Sequence, residues 1–165
     1  MREILLTQGQ TAWIDDDDFE EVSRYRWHAH RVHAHAPWYA VANLPRPRST
    51  GRNSLRMHML LMGEAPEGKT VDHRNGNGLD NRRSNLRWAT VSEQRWNSGL
   101  SRKNTSGFKG VSFDKSRGKY RAQIRVAERY VRLGRFMTAE EAAQAYDRAA
   151  REAFGAFARL NFGDD

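Results

Sequence analysis

The clearest hydrophobic pattern in the chain lies in its second half. Between Tyr120 and Val126 every second residue is aromatic or aliphatic, and the residues between them are Arg121, Gln123 and Arg125. Because side chains alternate between the two faces of a strand, this pattern predicts a strand with one buried face and one polar face.

Two neighbouring segments extend this strand into a sheet. Residues 109–113 form a strand candidate before it, and a second candidate follows it. In the second, Val131 and Leu133 are predicted to join the core, whereas Tyr130 and Arg132 share the polar face. The sequence therefore predicts a three-stranded antiparallel sheet.

A helix is predicted to cover the apolar face of this sheet. Thr138 and Glu141 have the spacing of a capping box, which marks a helix start, and Gly155 after Phe154 is a typical stop signal. The predicted buried stripe consists of Ala142, Ala145, Tyr146, Ala149 and Ala153. Because alanine side chains are small, such a helix can lie close to a sheet.

The first half of the chain is predicted to contain short strands. Apolar residues 4–6 and 12–14 flank a Gln-Gly-Gln turn, which predicts a hairpin. Residues 38–42 predict another strand, and residues 55–62 predict a strand that passes into a short helix. This helix contains His58, which we interpret as a buried histidine rather than a catalytic one.

Acidic and histidine clusters in this half each allow two interpretations. Asp18 is positioned to cap a helix over residues 19–25, so we interpret the acidic run 15–18 as a solvated helix start rather than a metal site. Four histidines follow, His28, His30, His33 and His35. We interpret them as solvated or phosphate-facing, since no Cys or acidic residue joins them, and zinc binding is the alternative.

Composition excludes several classes of protein. The chain has no cysteine, which rules out disulfides and thiolate zinc sites. No apolar run approaches the roughly 20 residues that span a bilayer, and the apolar stretch near Met1 is too short for a secretory signal. We therefore expect a soluble, cytoplasmic protein without membrane contact.

The charge distribution indicates a polyanionic partner. The formal net charge is +8, and the second half contains most of the positive field. Between residues 102 and 135 there are eleven basic residues and two acidic ones. The basic turn at 45–52 could also lie against a phosphate backbone.

DNA is the favoured polyanion, and two alternatives stand beside it. A solvated charged face is the simpler alternative. An RNA-binding module is the other, but the predicted sheet lacks a platform of exposed aromatic residues for base stacking. Arg, Gln and Tyr side chains on adjacent strands can reach phosphates and base edges, and a β-ribbon fits the major groove.

Candidate catalytic chemistry is concentrated in the middle of the chain. Asp72 and His73 end an apolar segment and lead into a loop rich in Gly and Asn, and Asn85 follows His73 after twelve residues. A second capping-box pattern then starts a helix on which Gln94 and Asn97 share a face. A carboxylate, a base that titrates near neutral pH and several amides can activate water beside a divalent cation.

This central motif resembles the HNH homing endonucleases of phages and mobile introns. The matching residues are Val71-Asp72-His73, Leu79-Asp80-Asn81, Asn85-Leu86-Arg87-Trp88-Ala89-Thr90, Ser92-Glu93 and Asn97. The resemblance implies that His73 is the general base and that Asn85 holds its imidazole through a hydrogen bond. It also implies that Asp72 ligates Mg²⁺ or Mn²⁺ together with an amide of the helix. Because family members usually carry Asn at the position of Gln94, both Gln94 and Asn97 are candidates for this amide.

The second half resembles AP2 DNA-binding domains. The matching residues are Gly107-Phe108-Lys109-Gly110-Val111, Leu133-Gly134-Arg135-Phe136, Thr138-Ala139-Glu140-Glu141-Ala142-Ala143, Ala145-Tyr146-Asp147 and Leu160-Asn161-Phe162. This resemblance implies binding to double-stranded DNA. The implied contact residues are Lys109, Arg121, Gln123, Arg125, Tyr130, Arg132 and Arg135. The tryptophans common on plant AP2 sheets are absent, so no base preference is carried over.

Taken together, these patterns predict an α+β protein with two modules. Its predicted parts are a nuclease domain at 1–98, comprising a β-rich region at 1–62 and a ββα-metal motif at 66–98, a linker at 99–107, and an AP2-like domain at 108–165 with three antiparallel strands packed on one helix. The predicted function is a metal-dependent DNA endonuclease of the homing type, monomeric, in the host-cell cytoplasm if phage-encoded. The alternative is a DNA-binding regulator with an inactive nuclease centre.

Overall fold

The computed structural model describes residues 1–45 and 53–163 and forms two compact units, Met1–Val91 and Ser92–Asp165. The predicted basic turn lies, apart from Pro45, outside the described residues. No helix within the described ranges has both the length and the apolar character needed to cross a membrane. The boundary between the units precedes the predicted end of the nuclease domain at residue 98.

The first unit begins with the predicted hairpin. Strands β1 (Arg2–Leu5) and β2 (Thr11–Ile14) are antiparallel and joined by a short 3-10 turn. Helix α1 (Phe19–Val22) is shorter than the predicted 19–25, and the Asp18 side chain does not cap it. Asp18 is instead buried, so the interpretation of the acidic run as fully solvated is wrong at this position.

A three-stranded antiparallel sheet and a helix follow, and the strand predicted at 38–42 and the strand and helix predicted at 55–62 are part of them. The sheet contains β3 (Trp27–His30), β4 (Tyr39–Asn43) and β5 (Ser54–Arg56) in that order, and α2 (Met57–Met62) comes directly after it. The core of the unit includes the fully buried Ile14, Val22 and Met57. His33 and His35 lie beyond the end of β3 and are exposed.

The last strands of the first unit form the predicted pair around the central loop. Strand β6 (Thr70–His73) runs antiparallel to β7 (Leu86–Ala89). In this register Asp72 lies opposite Arg87, and His73 lies opposite Leu86. The Asp-His pair therefore ends a strand, as the sequence predicts.

The second unit contains most of α3 (Val91–Trp96) and a sheet covered by one long helix. The sheet has the order β10 (Arg129–Phe136), β9 (Lys119–Val126) and β8 (Val111–Asp114), all antiparallel, and the covering helix is α4 (Ala139–Phe154). This confirms the predicted fold class. The core lies between sheet and helix and includes Val111, Ala122, Ile124 and Tyr146.

Helix α4 has the predicted bounds but a slightly different buried face. The Thr138 hydroxyl accepts from the Glu141 backbone at 3.1 Å and the Glu141 carboxylate accepts from the Thr138 backbone at 3.2 Å, which confirms the capping box. Ala149 is only half-buried and Ala153 is exposed, so the end of the predicted stripe is wrong. The buried positions continue in steps of four residues to Ala150 and Phe154, because neighbours four apart lie on the same helix face.

Candidate nuclease centre and nucleic-acid interface

The candidate nuclease centre begins where β6 ends. His73 is 6% exposed and Asp72 is 11% exposed, so both lie largely out of solvent. The Arg87 guanidinium donates to Asp72 from the opposite position on β7, with 2.8 Å between Nε and Oδ2. Strand pairing thus brings a cation against the carboxylate and fixes its orientation.

Asparagine side chains build the loop after His73. The amide oxygen of Asn75 accepts from the backbone of Asn77 at 2.8 Å, and that of Asn77 accepts from the backbone of Leu79 at 3.1 Å. Asn and Asp favour such turns because their short side chains bond the backbone two residues ahead. Asp80 closes the loop by accepting from Asn75 at 2.8 Å and from Arg82, whose guanidinium also lowers the Asp80 pKa.

The N-terminal part of the unit holds this loop from outside. The backbones of Trp13 and Leu79 bond at 2.9 Å, and the Asn81 backbone donates to Trp13 at 2.8 Å. Arg83 donates to the buried Asp18 at 2.6 Å, and its backbone donates to Asp15. Two members of the acidic run therefore act as anchors for the loop, a role that the sequence pattern does not indicate.

The amide beside the catalytic histidine candidate belongs to Asn81. Its Oδ1 lies 3.3 Å from Nε2 of His73, and its Nδ2 donates to the Leu79 carbonyl at 3.2 Å. Because a carbonyl only accepts, the Leu79 contact fixes which end of the Asn81 amide is oxygen. Nε2 must then carry the hydrogen, which leaves Nδ1 as the basic nitrogen of the neutral ring.

Asn85, which the resemblance implies as the partner of His73, has other contacts in the structure. Its Nδ2 donates to the Asp80 carbonyl at 2.7 Å, and its Oδ1 accepts from the Asn75 backbone at 3.0 Å. The expected hydrogen bond to the imidazole is therefore replaced by bonds that close the loop. The assignment of Asn85 to the catalytic site stays a prediction.

A second histidine lies against the first. The rings of His58 and His73 meet edge to face with 5.1 Å between centroids, and Tyr39 lies near both. His58 is buried, as predicted, and burial together with the nearby His73 and Arg56 lowers its pKa to about 3. Burial also lowers the pKa of His73, which favours the neutral ring at pH 7.

The candidate ligands for a divalent ion are oxygen donors. Asp72 lies near the end of β6, Gln94 is half-buried on α3, and Asn97 is buried just after α3. Within the described residues no three His or acidic side chains are grouped so that they could hold a metal ion. The described residues include the four histidines His28, His30, His33 and His35, so the structure shows no such group there. A carboxylate with one amide oxygen is a different kind of donor set, and it suits the oxygen preference of Mg²⁺ and Mn²⁺.

The sheet of the second unit gathers the predicted DNA-contacting residues on one face. Cross-strand partners share a face of a sheet. The partners are Tyr130 and Arg125, Arg132 and Gln123, and Arg135 and Arg121. Tyr130 is 66% exposed, and Arg125 and Arg132 are exposed as well.

A bulge explains why Arg132 and Arg135 share this face. Residues three apart in a regular strand point to opposite faces. Here the register shifts between Arg132 and Gly134, which leaves Leu133 without a cross-strand partner and adds one residue. Gly134 has a φ of 139°, a region that glycine adopts readily. The alternation of apolar and polar residues alone could not predict this extra residue, and so could not predict that Arg132 and Arg135 share a face.

Val131 only partly meets its prediction. It lies opposite the buried Ile124 and so belongs to the core face, but it remains 46% exposed near the β9–β10 turn. Two arginines of the polar face have acidic neighbours, since Arg125 pairs with Glu128 and Arg135 pairs with Asp114. The face nevertheless presents guanidinium, amide and phenol groups together.

Lys109 lies away from this polar face. It precedes β8, and its ammonium donates to the backbone carbonyls of Trp96 at 2.5 Å and Ser98 at 2.7 Å. Burial lowers its pKa to about 8. Its placement therefore differs from that of the six other predicted DNA contacts.

Comparison with known proteins supports both halves of this description. A family model described as "HNH endonuclease" matches residues 58–95, and one described as "AP2 domain" matches residues 106–156. "Protein 3.8" of Escherichia phage T7 is 36% identical over 109 residues, which make up 66% of this chain and 89% of that protein. An uncharacterized HNH endonuclease of Acanthamoeba polyphaga mimivirus is 28% identical over 159 residues, 93% of this chain and 76% of that protein.

A plant protein matches the second half alone. The dehydration-responsive element-binding protein 2A of Arabidopsis thaliana is 55% identical over 47 residues. These residues make up 27% of this chain and 14% of that protein, so the similarity concerns one domain of a larger relative.

Proposed function

Because the chain belongs to the HNH endonuclease family and carries an AP2 domain after its HNH motif, we propose that it hydrolyses phosphodiester bonds in double-stranded DNA with His73 as general base. The observation that carries this proposal is the buried His73 ring with its Nε2 beside Asn81. A base that takes a proton from water must be neutral and correctly oriented, and both conditions have support here.

In this mechanism Nδ1 of His73 receives a proton from the attacking water. Burial lowers the pKa of His73 and so favours the neutral ring at pH 7, in which Nδ1 carries the lone pair. Asn81 keeps Nε2 protonated, and the loop bonds of Asn85 and Asp80 keep Asn81 in place. The oxygen of water attacks phosphorus, and the bond to the 3′-oxygen breaks.

Asp72 would hold the divalent ion together with an amide oxygen of Gln94 or Asn97. Mg²⁺ or Mn²⁺ is the proposed ion, since the donors are hard oxygen atoms. When bound, such an ion offsets charge that develops on the phosphate and on the leaving oxygen. Arg87 contributes by keeping the Asp72 carboxylate in one orientation through the bond from its Nε.

The AP2 domain would supply affinity and register on DNA. The proposed contacts are the residues of the polar sheet face, Arg121, Gln123, Arg125, Tyr130, Arg132 and Arg135. Phosphate and base-edge contacts from such a face would raise the local concentration of the nuclease at its site. The proposed domain limits are 1–98 and 108–165.

The proposal extends to a biological setting. A homing role, a monomeric working state and a cytoplasmic location, in the host cell if the protein is phage-encoded, are parts of the proposal. Similarity to a phage protein and to a viral HNH endonuclease supports a mobile or viral origin.

Analysis of the DNA ends tests the proposed chemistry. End-labelled duplex incubated with Mg²⁺ should yield 5′-phosphate and 3′-hydroxyl ends, and EDTA should prevent cleavage. Cleavage that continues undiminished in EDTA, or ends with 3′-phosphate, would contradict the mechanism.

A DNA-binding regulator with an inactive nuclease centre is the second candidate. The observation that favours it is Gln94, which stands where the family usually has Asn. It predicts binding of duplex DNA without cleavage in Mg²⁺ or Mn²⁺. Introducing Gln94→Asn would then create an activity that the wild type lacks.

A further inference from the structure

The last turn of α3 is held by residues of the AP2 half. The Trp96 indole stacks on the Phe154 ring at the end of α4, with 4.6 Å between centroids and 11° between planes. The ammonium of Lys109 donates to the carbonyls of Trp96 and Ser98. All four residues belong to the second compact unit.

The position of Lys109 matches what a helix end requires. The last carbonyls of a helix have no partner within the helix, and a lysine beyond its end can satisfy them. The backbone and hydroxyl of Ser98 donate to the Arg95 carbonyl at 3.2 Å and 2.6 Å. The Lys109 ammonium donates to two further carbonyls, those of Trp96 and Ser98, so these hydrogen bonds stabilise the end of α3.

The backbone of Lys109 is itself held by hydrogen bonds to Asn161. Its backbone N–H donates to Asn161 Oδ1 at 2.6 Å, and its carbonyl accepts from Asn161 Nδ2 at 3.1 Å. Asn161 in turn donates to Asp147, which is 2% exposed. The neighbouring Gly110 allows the Tyr146 ring to approach so closely that a Cβ would lie 2.0 Å from it.

We propose that Lys109 and Trp96 are positioning residues for cleavage, which fix the end of α3, with Gln94 on it and Asn97 just after it, to the AP2 core. The AP2 domain then has a second function besides binding DNA, namely to hold the amides of Gln94 and Asn97, the two candidate metal ligands, in place. This inference rests on the proposed function, because it assumes that one of these amides is a ligand. It also removes Lys109 from the DNA-contacting residues.

The variant Lys109→Met tests this assignment in the full-length protein, because it keeps the length of the side chain and removes its charge and donors. Lys115→Met is the matched control, since Lys115 is exposed in the turn between β8 and β9. DNA affinity is measured in EDTA, and single-turnover cleavage is measured over a Mg²⁺ titration. Circular dichroism and thermal unfolding establish that each variant is folded.

The proposal predicts a separation between binding and cleavage. For Lys109→Met, DNA affinity should change by less than about twofold, because the phosphate contacts remain. The Mg²⁺ concentration for half-maximal rate should rise about fivefold or more, as losses of groups that orient metal ligands do. Lys109→Arg, which keeps a donor, should recover most of this loss, and Lys115→Met should behave as wild type in the Mg²⁺ titration.

Two results of the binding and cleavage measurements would overturn the proposal. If Lys109 contacts DNA, Lys109→Met will weaken binding, lower the salt slope by about one and leave the Mg²⁺ midpoint unchanged. If cleavage, Mg²⁺ midpoint and affinity all stay at wild-type values, Lys109 has no positioning role. Trp96→Leu removes the other contact that holds α3, the stacking on Phe154, and should raise the Mg²⁺ midpoint likewise.

Hydrogen exchange separates this proposal from the proposed nuclease function. Amides of residues 92–98 should exchange about tenfold faster in Lys109→Met than in wild type, whether or not the protein cleaves DNA. A wild type that cleaves no DNA would refute the nuclease function and leave this exchange test standing. Unchanged exchange in 92–98 would refute the role of Lys109 in a protein that cleaves normally.

Discussion

Oδ1 of Asn81 lies 3.3 Å from Nε2 of His73, and Asn81 is fully buried. This contact defines the tautomer of the ring, because the other end of the Asn81 amide bonds a carbonyl. The amide four residues further along, Asn85, closes the loop instead. The two asparagines therefore have separable tasks.

Asn81→Ala should slow cleavage without weakening DNA binding. The His73 ring would lose the acceptor that orients it, so kcat should fall about 10- to 100-fold, which is less than the loss of a general base itself. Asn85→Ala removes one hydrogen bond to the Asp80 carbonyl and one from the Asn75 backbone, so it should lower the free energy of unfolding by about 1 to 3 kcal/mol. Single-turnover rates and urea unfolding measure the two effects. A normal kcat in Asn81→Ala would refute the assigned tautomer.

His58 should make the first unit sensitive to acid. Its pKa is about 3 in the folded protein and 6.5 in a free chain. Above pH 6.5 the ring is neutral in both states, so it contributes no dependence on pH. As the pH falls below 6.5 the unfolded chain takes up a proton that the folded chain does not. The free energy of unfolding should then fall by about 1.4 kcal/mol per pH unit from this group.

Urea unfolding between about pH 7 and pH 5 measures this effect. His58→Leu removes the titrating group and should make the fall in stability shallower by about 1.4 kcal/mol per pH unit below 6.5. His73, whose pKa is also lowered by burial, accounts for dependence that remains. An unaltered pH dependence in His58→Leu would show that His58 is accessible to protons in the folded state.

Arg87 and Arg24 form ion pairs that should differ in their effect on stability. The pair of Arg87 with Asp72 is 8% and 11% exposed, whereas that of Arg24 with Glu20 is 66% and 88% exposed. Arg87→Met leaves a carboxylate in a mostly buried position without this partner, so it should cost about 3 kcal/mol. Arg24→Met should change stability by less than about 0.5 kcal/mol. Equal losses in urea unfolding would contradict the importance of the Asp72 contact.

Substitution of Arg132 tests whether the polar face of the sheet binds DNA. Arg132→Gln should weaken binding to duplex DNA about fivefold or more and reduce the salt slope by about one if the residue contacts a phosphate. Arg148→Gln is the control, because Arg148 is exposed on α4, on the opposite side of the sheet from this face. Fluorescence anisotropy at several salt concentrations provides both numbers. Equal losses from the two variants would indicate a diffuse charge effect instead of a binding face.

The sequence predicted those features that depend on neighbours along the chain. Alternation found β9, and capping-box spacing found the start of α4 at Ala139. The apolar approach and the Gly/Asn loop are both local signals, and together they predict that the Asp72-His73 pair ends a strand, as it does. Local propensity and pattern agree at these places, so each could be found without tertiary information.

Features that depend on distant pairs were missed for a physical reason. Arg83 and Asp18 are 65 residues apart, and nothing in the acidic run itself indicates its partner. The bulge at Leu133 reverses the face on which the following side chains lie, although the strand pairing is regular on both sides of it. The pattern of apolar and polar residues does not indicate this reversal. The AP2 resemblance implies that Lys109 contacts DNA, but the direction of its side chain depends on hydrogen bonds with Trp96 and Asn161, which are distant in sequence.

The central claim is that His73 acts as the base of a metal-dependent DNA nuclease. Incubation of supercoiled plasmid with the full-length protein and Mg²⁺, followed by gel electrophoresis, tests it most directly. Wild type should convert the plasmid to nicked or linear forms, and EDTA should stop the conversion. His73→Ala should bind DNA normally but cleave at least about 100-fold more slowly, as loss of a general base predicts. Equal cleavage by wild type and His73→Ala, or none by either, would contradict the account.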